Sequence, residues 1–113
     1  MKIYNVTKNT VVAQHTELAR SFIKRFFGLM GRKILPEGHA MVITPCNSIH
    51  MLFMRFPIDA VFIDKNGVVL HLVENIKPWR VSRIIGDARS VIELPVGSIR
   101  KSSSQIGDTL EIV

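Results

Sequence analysis

His50, Arg55 and Asp59 interrupt one of the most apolar stretches of the chain, His50-Met51-Leu52-Phe53-Met54-Arg55-Phe56-Pro57-Ile58-Asp59-Ala60-Val61-Phe62-Ile63-Asp64. A strand can hide the apolar neighbours, but an unpaired imidazole, guanidinium or carboxylate is costly to bury. These groups therefore need water, one another or a ligand. Pro57 lies between Arg55 and Asp59 and argues against an ordinary helical ion pair. A bend there can join the two as a fold-fixing pair. Alternatively, Arg55 receives an anionic or carbonyl group through its five-donor fork while Asp59 orients it.

Trp79 and Arg80, after Pro78, offer an apolar wall beside a cationic anchor, a combination suited to a small anion with a flat body. The indole could equally cover one end of the core. Glu93, between Ile92 and Leu94, either pairs with an arginine or shapes the same pocket. His50, Arg55, Asp59, Trp79, Arg80 and Glu93 form the expected ligand-binding set. They point to a non-enzymatic binding or accessory domain for an anionic small molecule or a protein segment.

Two other readings stand beside it, one on overlapping residues and one on a different surface. In an enzyme, His50 would be a general base oriented by Asp59 or Glu93, with Arg55 stabilising negative charge during hydrolysis or group transfer. Cys46 would be its nucleophile only if close to His50 and lowered in pKa. In a nucleic-acid-binding protein, Arg20, Lys24, Arg25, Arg32 and Lys33 would supply a phosphate-contacting face, since no acid stands between them. His39, Cys46, His50 and His71 are suitable zinc ligands by type but lack a recognisable spacing, so no metal site is expected. Gly97 and Gly107 read as lone turn glycines rather than a nucleotide loop, and no cofactor is expected.

The elements that must position these groups are short. Residues 2–6 and 10–13 read as a hairpin. Residues 17–27 read as an amphipathic helix with Leu18, Phe22 and Phe26 in its stripe, Ile23 and Phe27 beside them, Thr16 as N-cap and Gly28 as terminator. Strands are expected at 40–44, 49–54, 60–63, 68–73, 90–94 and 109–113. Asn66-Gly67 between two β-rich runs is the strongest hairpin signal. The runs flanking it are nearly continuous in apolar residues, which predicts burial on both faces. The expected fold is mainly β: a compact antiparallel β-sandwich or partly closed barrel with one short amphipathic helix, in a single domain spanning 1–113.

With 113 residues, 47% of them apolar and 21% charged, the chain fits a soluble globular protein. Its net charge of +6 favours anionic partners. The single cysteine precludes an internal disulfide framework. The N-terminal residues lack the apolar run of a signal peptide, and no stretch reaches the roughly 18 apolar residues needed to span a bilayer. The expected location is cytoplasmic.

The sequence also resembles the DUF192 family along most of its length. The resemblance rests on Arg25-Phe26-Phe27-Gly28-Leu29-Met30-Gly31-Arg32, the segment from His50 to Asp64, Pro78-Trp79-Arg80, Val91-Ile92-Glu93-Leu94-Pro95-Val96-Gly97 and Gly107-Asp108. Many members carry Trp-Met-Lys-Asn-Thr ahead of Pro-Leu-Asp. Here His50-Met51 and Met54-Arg55-Phe56 precede Pro57-Ile58-Asp59, which is similar to a subgroup form. The resemblance implies a compact, mainly β fold with a short helical region and supplies no reaction.

Overall fold

A computed structural model describes residues 1–113, the side chain of Phe22 excepted. In chain order the elements are β1 (Ile3–Asn5), β2 (Thr10–Ala13), β3 (His15–Ala19), α1 (Phe22–Phe27), β4 (His39–Ile43), β5 (Ile58–Ile63), β6 (Val69–Ile76), β7 (Ser90–Pro95), α2 (Ser98–Lys101) and β8 (Leu110–Ile112). They form a three-stranded sheet, β2-β1-β8, and a five-stranded sheet, β3-β4-β7-β5-β6. An isolated bridge between Val68 and Thr109 links the two. The result is a mainly β fold with two small helices.

The larger sheet is mixed, which corrects the expectation of purely antiparallel pairing. β3 runs parallel to β4, with His15 opposite His39 and Ala19 opposite Ile43. This pairing also corrects the expected helix start. Residues 17–19 are strand rather than helix, because Glu17 and Leu18 complete backbone ladders with Met41 and Val42. Thr16 is therefore not an N-cap. Ser21 takes that role, its Oγ accepting from Lys24 N at 3.1 Å. Gly28 ends the helix as expected, at φ +48°, with its N–H donating to Lys24 O at 2.8 Å.

A six-residue helix is too short to lay three turns of apolar side chain on a core. Leu18 now belongs to a strand, while Ile23, Phe26 and Phe27 are mostly exposed. The Phe22 part of the expected stripe lies outside the described side chains. The strand expected over 49–54 is also absent. His50 makes only an isolated bridge to Val81, and the segment after it turns repeatedly.

Strand alternation divides the apolar side chains between the two faces of the larger sheet. Met41, Ile43, Ile58, Ala60, Phe62 and Val91 join one buried cluster together with Leu29, Ile49, Met51 and Met54 from the connections. Ala40, Val42, Val61, Ile63, Ile92 and Leu94 join the other, which includes Ile3, Val12 and Leu110 from the small sheet. β5 is buried at all six positions, as the apolar run at 60–63 predicts for its last four, and Asp59 is buried with them. β6 corrects that prediction for the second run, because it is an edge strand and its middle residues remain half-exposed. The Asn66-Gly67 connection does join adjacent antiparallel strands. Gly67 has φ +82°, and a Cβ there would lie 2.3 Å from Leu110 O, so the turn and β8 approach too closely for a side chain.

Candidate functional site

Glu93 sits in the middle of the larger sheet, opposite Met41 on β4 and Ala60 on β5. The alternation that buries Ile92 and Leu94 on one face turns Glu93 to the other, among the side chains beneath α1 and the loop after β4. It is 4% exposed, and its Oε1 has no hydrogen-bond partner among the described residues. Burial pushes the carboxyl up to about 7, with the charge of Arg32 pulling the other way. A buried acid in this condition is half-neutralised near neutral pH and holds an unmet capacity for hydrogen bonding.

The carboxyl lines a cavity of about 50 Å³. Arg25, Gly28, Cys46, His50 and Met54 form much of the remaining wall. A second buried polar atom there is also unpartnered, Nε of Arg25. The same guanidinium is steadied by Nη1 donating to Pro45 O at 3.0 Å. Gly28 forms a lip: a Cβ at this position would stand 3.4 Å from Glu93 Oε1. On the far side of Phe27 and Gly28 a wider hollow of about 230 Å³ opens between β3 and α1.

His50 bonds at both ring nitrogens. Leu52 N donates to Nδ1 at 3.3 Å, which leaves Nε2 as the protonated nitrogen, 3.2 Å from Phe26 O. The imidazole thus ties the end of α1 to the loop after β4, and its one lone pair is engaged. Cys46 donates from Sγ to Ser48 O at 2.9 Å, and burial raises its thiol above the ordinary range, with the Glu93 carboxylate adding to the effect. A thiol held this way is not an activated nucleophile. His50→Ala is expected to lower stability by about 1 kcal/mol through two lost hydrogen bonds, read as a small fall in thermal midpoint.

Of the sequence-predicted ligand set, the cavity gathers His50 and Glu93. Cys46 joins them, and Arg25 joins from the set assigned to nucleic acid. Asp59 lies elsewhere because β5 points it to the opposite face of the sheet. It is fully buried and accepts three backbone N–H groups: Asn75 N at 2.9 Å, Gly97 N at 3.1 Å and Ile99 N at 3.1 Å. The first lies at a bulge between β5 and β6, where Asn75 has φ +55°. The other two belong to the start of α2, whose N-cap Gly97 has no side chain to do this work. The anticipated Arg55–Asp59 pair is therefore corrected: Asp59 is saturated by backbone, and Arg55 is exposed, with no polar partner among the described residues. Trp79 and Arg80 are exposed on a separate loop.

The basic set does not project as one free face. Arg32 makes a two-pronged contact to Glu17, at 2.7 and 3.2 Å, and holds that carboxyl below its ordinary range. Arg25 turns toward the cavity, leaving Arg20, Lys24 and Lys33 exposed. The four candidate zinc ligands do not come together: Cys46 and His50 line the cavity, whereas His39 packs on His15 at 4.9 Å between ring centroids and His71 on Phe62 at 5.5 Å. Among the described residues no three His, Cys, Asp or Glu side chains are grouped to hold a metal ion.

Sequence reasoning missed Arg25 as a cavity residue. The available signal was its place one turn before Gly28, where a chain reversal aims the last helical turn back at the sheet. Pairing Glu93 with Arg80, Arg89 or Arg55 is an equally natural reading of the sequence, and only the register of β7 against β4 and β5 decides against it.

Known proteins resemble this chain in sequence and in fold. The chain is 38% identical to a UPF0127 protein of Pyrococcus furiosus over 95% of its own length and 94% of that protein. It is 37% identical to a UPF0127 protein of Thermococcus sibiricus, covering 96% of this chain and 73% of that one. A Novosphingobium aromaticivorans protein of unknown function has the same fold, with a TM-score of 0.84 at 22% identity over 98% of this chain and 82% of that one. A Sinorhizobium meliloti protein described as a candidate transcription regulator aligns with a TM-score of 0.79 at 25% identity, over 97% and 89% of the two chains. Residues 4–112 match the family DUF192, described as Uncharacterized ACR, COG1430, and the chain belongs to that family.

Proposed function

We propose that the protein is a non-enzymatic binding domain that takes a small anionic group, a carboxylate, into the cavity beneath α1. The observation that carries this reading is that two residues lining the same space each hold a buried polar atom without a partner among the described residues, Glu93 Oε1 and Arg25 Nε. A carboxylate would accept from the Arg25 Nε–H and from the protonated Glu93 carboxyl, completing both. A space of about 50 Å³ admits an end group of a few atoms rather than a whole cofactor. The engaged His50 ring and the raised Cys46 thiol support binding over catalysis.

The enzyme alternative is weaker because its base and nucleophile are both committed to hydrogen bonds. The nucleic-acid alternative draws some support from the description of the Sinorhizobium meliloti relative. Against it, Arg25 and Arg32 are engaged elsewhere.

Thermal shift measurements with acetate, acetamide and methylammonium at about pH 6 and about pH 8 test the proposal. Acetate is expected to stabilise the protein, with apparent affinity about tenfold weaker at the higher pH because binding needs the Glu93 proton. Glu93→Gln should remove this pH dependence, since the amide can donate at either pH, and Arg25→Met should abolish the shift. Stabilisation by methylammonium with none by acetate would defeat the reading.

A further inference from the structure

Two bulky residues outside the cavity adopt a backbone conformation that L side chains avoid. Phe53 has φ +61° and Trp79 has φ +69°. Burial does not compensate for this strain, because Phe53 is 60% exposed and Trp79 61%. Their rings meet each other edge to face, with centroids 5.0 Å apart and planes at 62°. Cross-loop hydrogen bonds hold both in place: Trp79 N donates to Met51 O at 2.8 Å, Met51 N to Arg80 O at 2.7 Å and Gly31 N to Phe53 O at 3.4 Å. The fold therefore maintains two strained aromatic residues in solvent, the kind of local cost that clusters at sites of recognition.

The same loops expose Leu52 and Val81. Arg55 and Arg80 are exposed too, and neither side chain has an ion pair or hydrogen bond among the described residues. No acidic residue occurs from Pro45 through Ile58, nor from Asn75 through Gly86. The surface thus combines an aromatic pair, aliphatic flanks and uncompensated positive charge.

We infer that the Phe53–Trp79 pair, with Arg55 and Arg80 on the same two loops, docks an acidic segment of another protein through an apolar side chain packed against the outer surface of the paired rings. A second copy of this chain fits poorly, because a two-fold interface would oppose like charges. Single-stranded nucleic acid would use the arginines, but successive bases stack on open ring faces and have no use for Leu52 and Val81. An acidic peptide with apolar residues uses every component.

Trp79 is the single tryptophan, so its emission reports directly on the pair. A display library of randomised peptides is selected against the full chain, and enriched peptides are titrated while Trp79 fluorescence is followed. Enrichment of sequences combining Asp or Glu with large apolar residues is expected. Their affinity should fall at least tenfold in Arg55→Glu/Arg80→Glu and in Phe53→Ser, with thermal midpoints confirming that the variants are folded. Selection of no peptides, of neutral or basic ones, or of peptides indifferent to the charge reversal overturns the proposal. So does tighter Trp79-reported binding of a thymidine oligonucleotide or of phosphatidylglycerol vesicles, or self-association that quenches Trp79 at rising protein concentration.

Discussion

Asp59→Ala is expected to cost about 4 kcal/mol of folding stability, enough to leave a domain of ordinary stability barely folded. The alanine strips acceptors from three backbone donors at once, and Ile99 N is among them in a buried setting. Those groups belong to separate parts of the chain, the β5–β6 bulge and the start of α2, so the loss should loosen both. Urea denaturation followed by circular dichroism gives the measurement. Arg55→Ala, in contrast, should change stability by no more than about 0.5 kcal/mol. A double-mutant cycle should show no coupling between the two positions, since no hydrogen bond or ion pair joins them among the described residues. Coupling above about 1 kcal/mol would restore the ion pair that the structure replaces.

Stability should also fall as pH rises from about 4.5 to about 7, by about 3 kcal/mol, through Glu93 alone. The folded carboxyl titrates near 7 against an ordinary value of 4.5. Below the lower value both folded and unfolded chains hold the proton, and the group costs nothing in charge. Between the two values the folded state retains a proton that the unfolded state has lost, so rising pH favours unfolding. Above about 7 the penalty is complete, because the carboxylate must then sit ionised in the core. Glu93→Gln should flatten this dependence and raise the denaturation midpoint at about pH 8 while leaving that at about pH 4 nearly unchanged. Chemical denaturation of both proteins across this range reads the difference. A wild-type profile that rises between pH 5 and 7 and matches the glutamine variant would sink the assignment.

The parts legible in the sequence are those governed by neighbours along the chain. Asn66-Gly67 specifies its hairpin through local backbone preference, and Pro95 closes β7 where the apolar run ends. Gly28 stops its helix for the same kind of reason. The helix start was not legible because Glu17-Leu18-Ala19 suits a helix as well as a strand. A partner strand more than twenty residues later decides the matter. Asp59 was recognised as unusual, yet its three donors come from residues 75, 97 and 99, which no local pattern connects to it.

The candidate site was legible in its ingredients rather than its grouping. Glu93, His50 and Cys46 were each singled out, and the cavity contains all three. Asp59 and Glu93 were placed together, although the two-residue pleat sends them to opposite sides of one sheet. Predicting that separation requires knowing that Asp59 is level with Leu94 while Glu93 is level with Ala60. Register between strands is fixed by the whole fold, and a single strand does not encode it.

The small sheet has a consequence for the order in which the molecule is made. β1 lies between β2 and β8, and Lys2 and Val113 exchange backbone hydrogen bonds of 2.7 and 2.9 Å. The β1–β2 hairpin can close once its own residues are made, but the other edge of β1 must wait for β8. Until then Ile3 lacks Leu110, its companion in the second apolar cluster, and β1 presents an open strand edge. Contacts spanning nearly the full chain are slow to form, so completion of this sheet belongs to the final stage of folding.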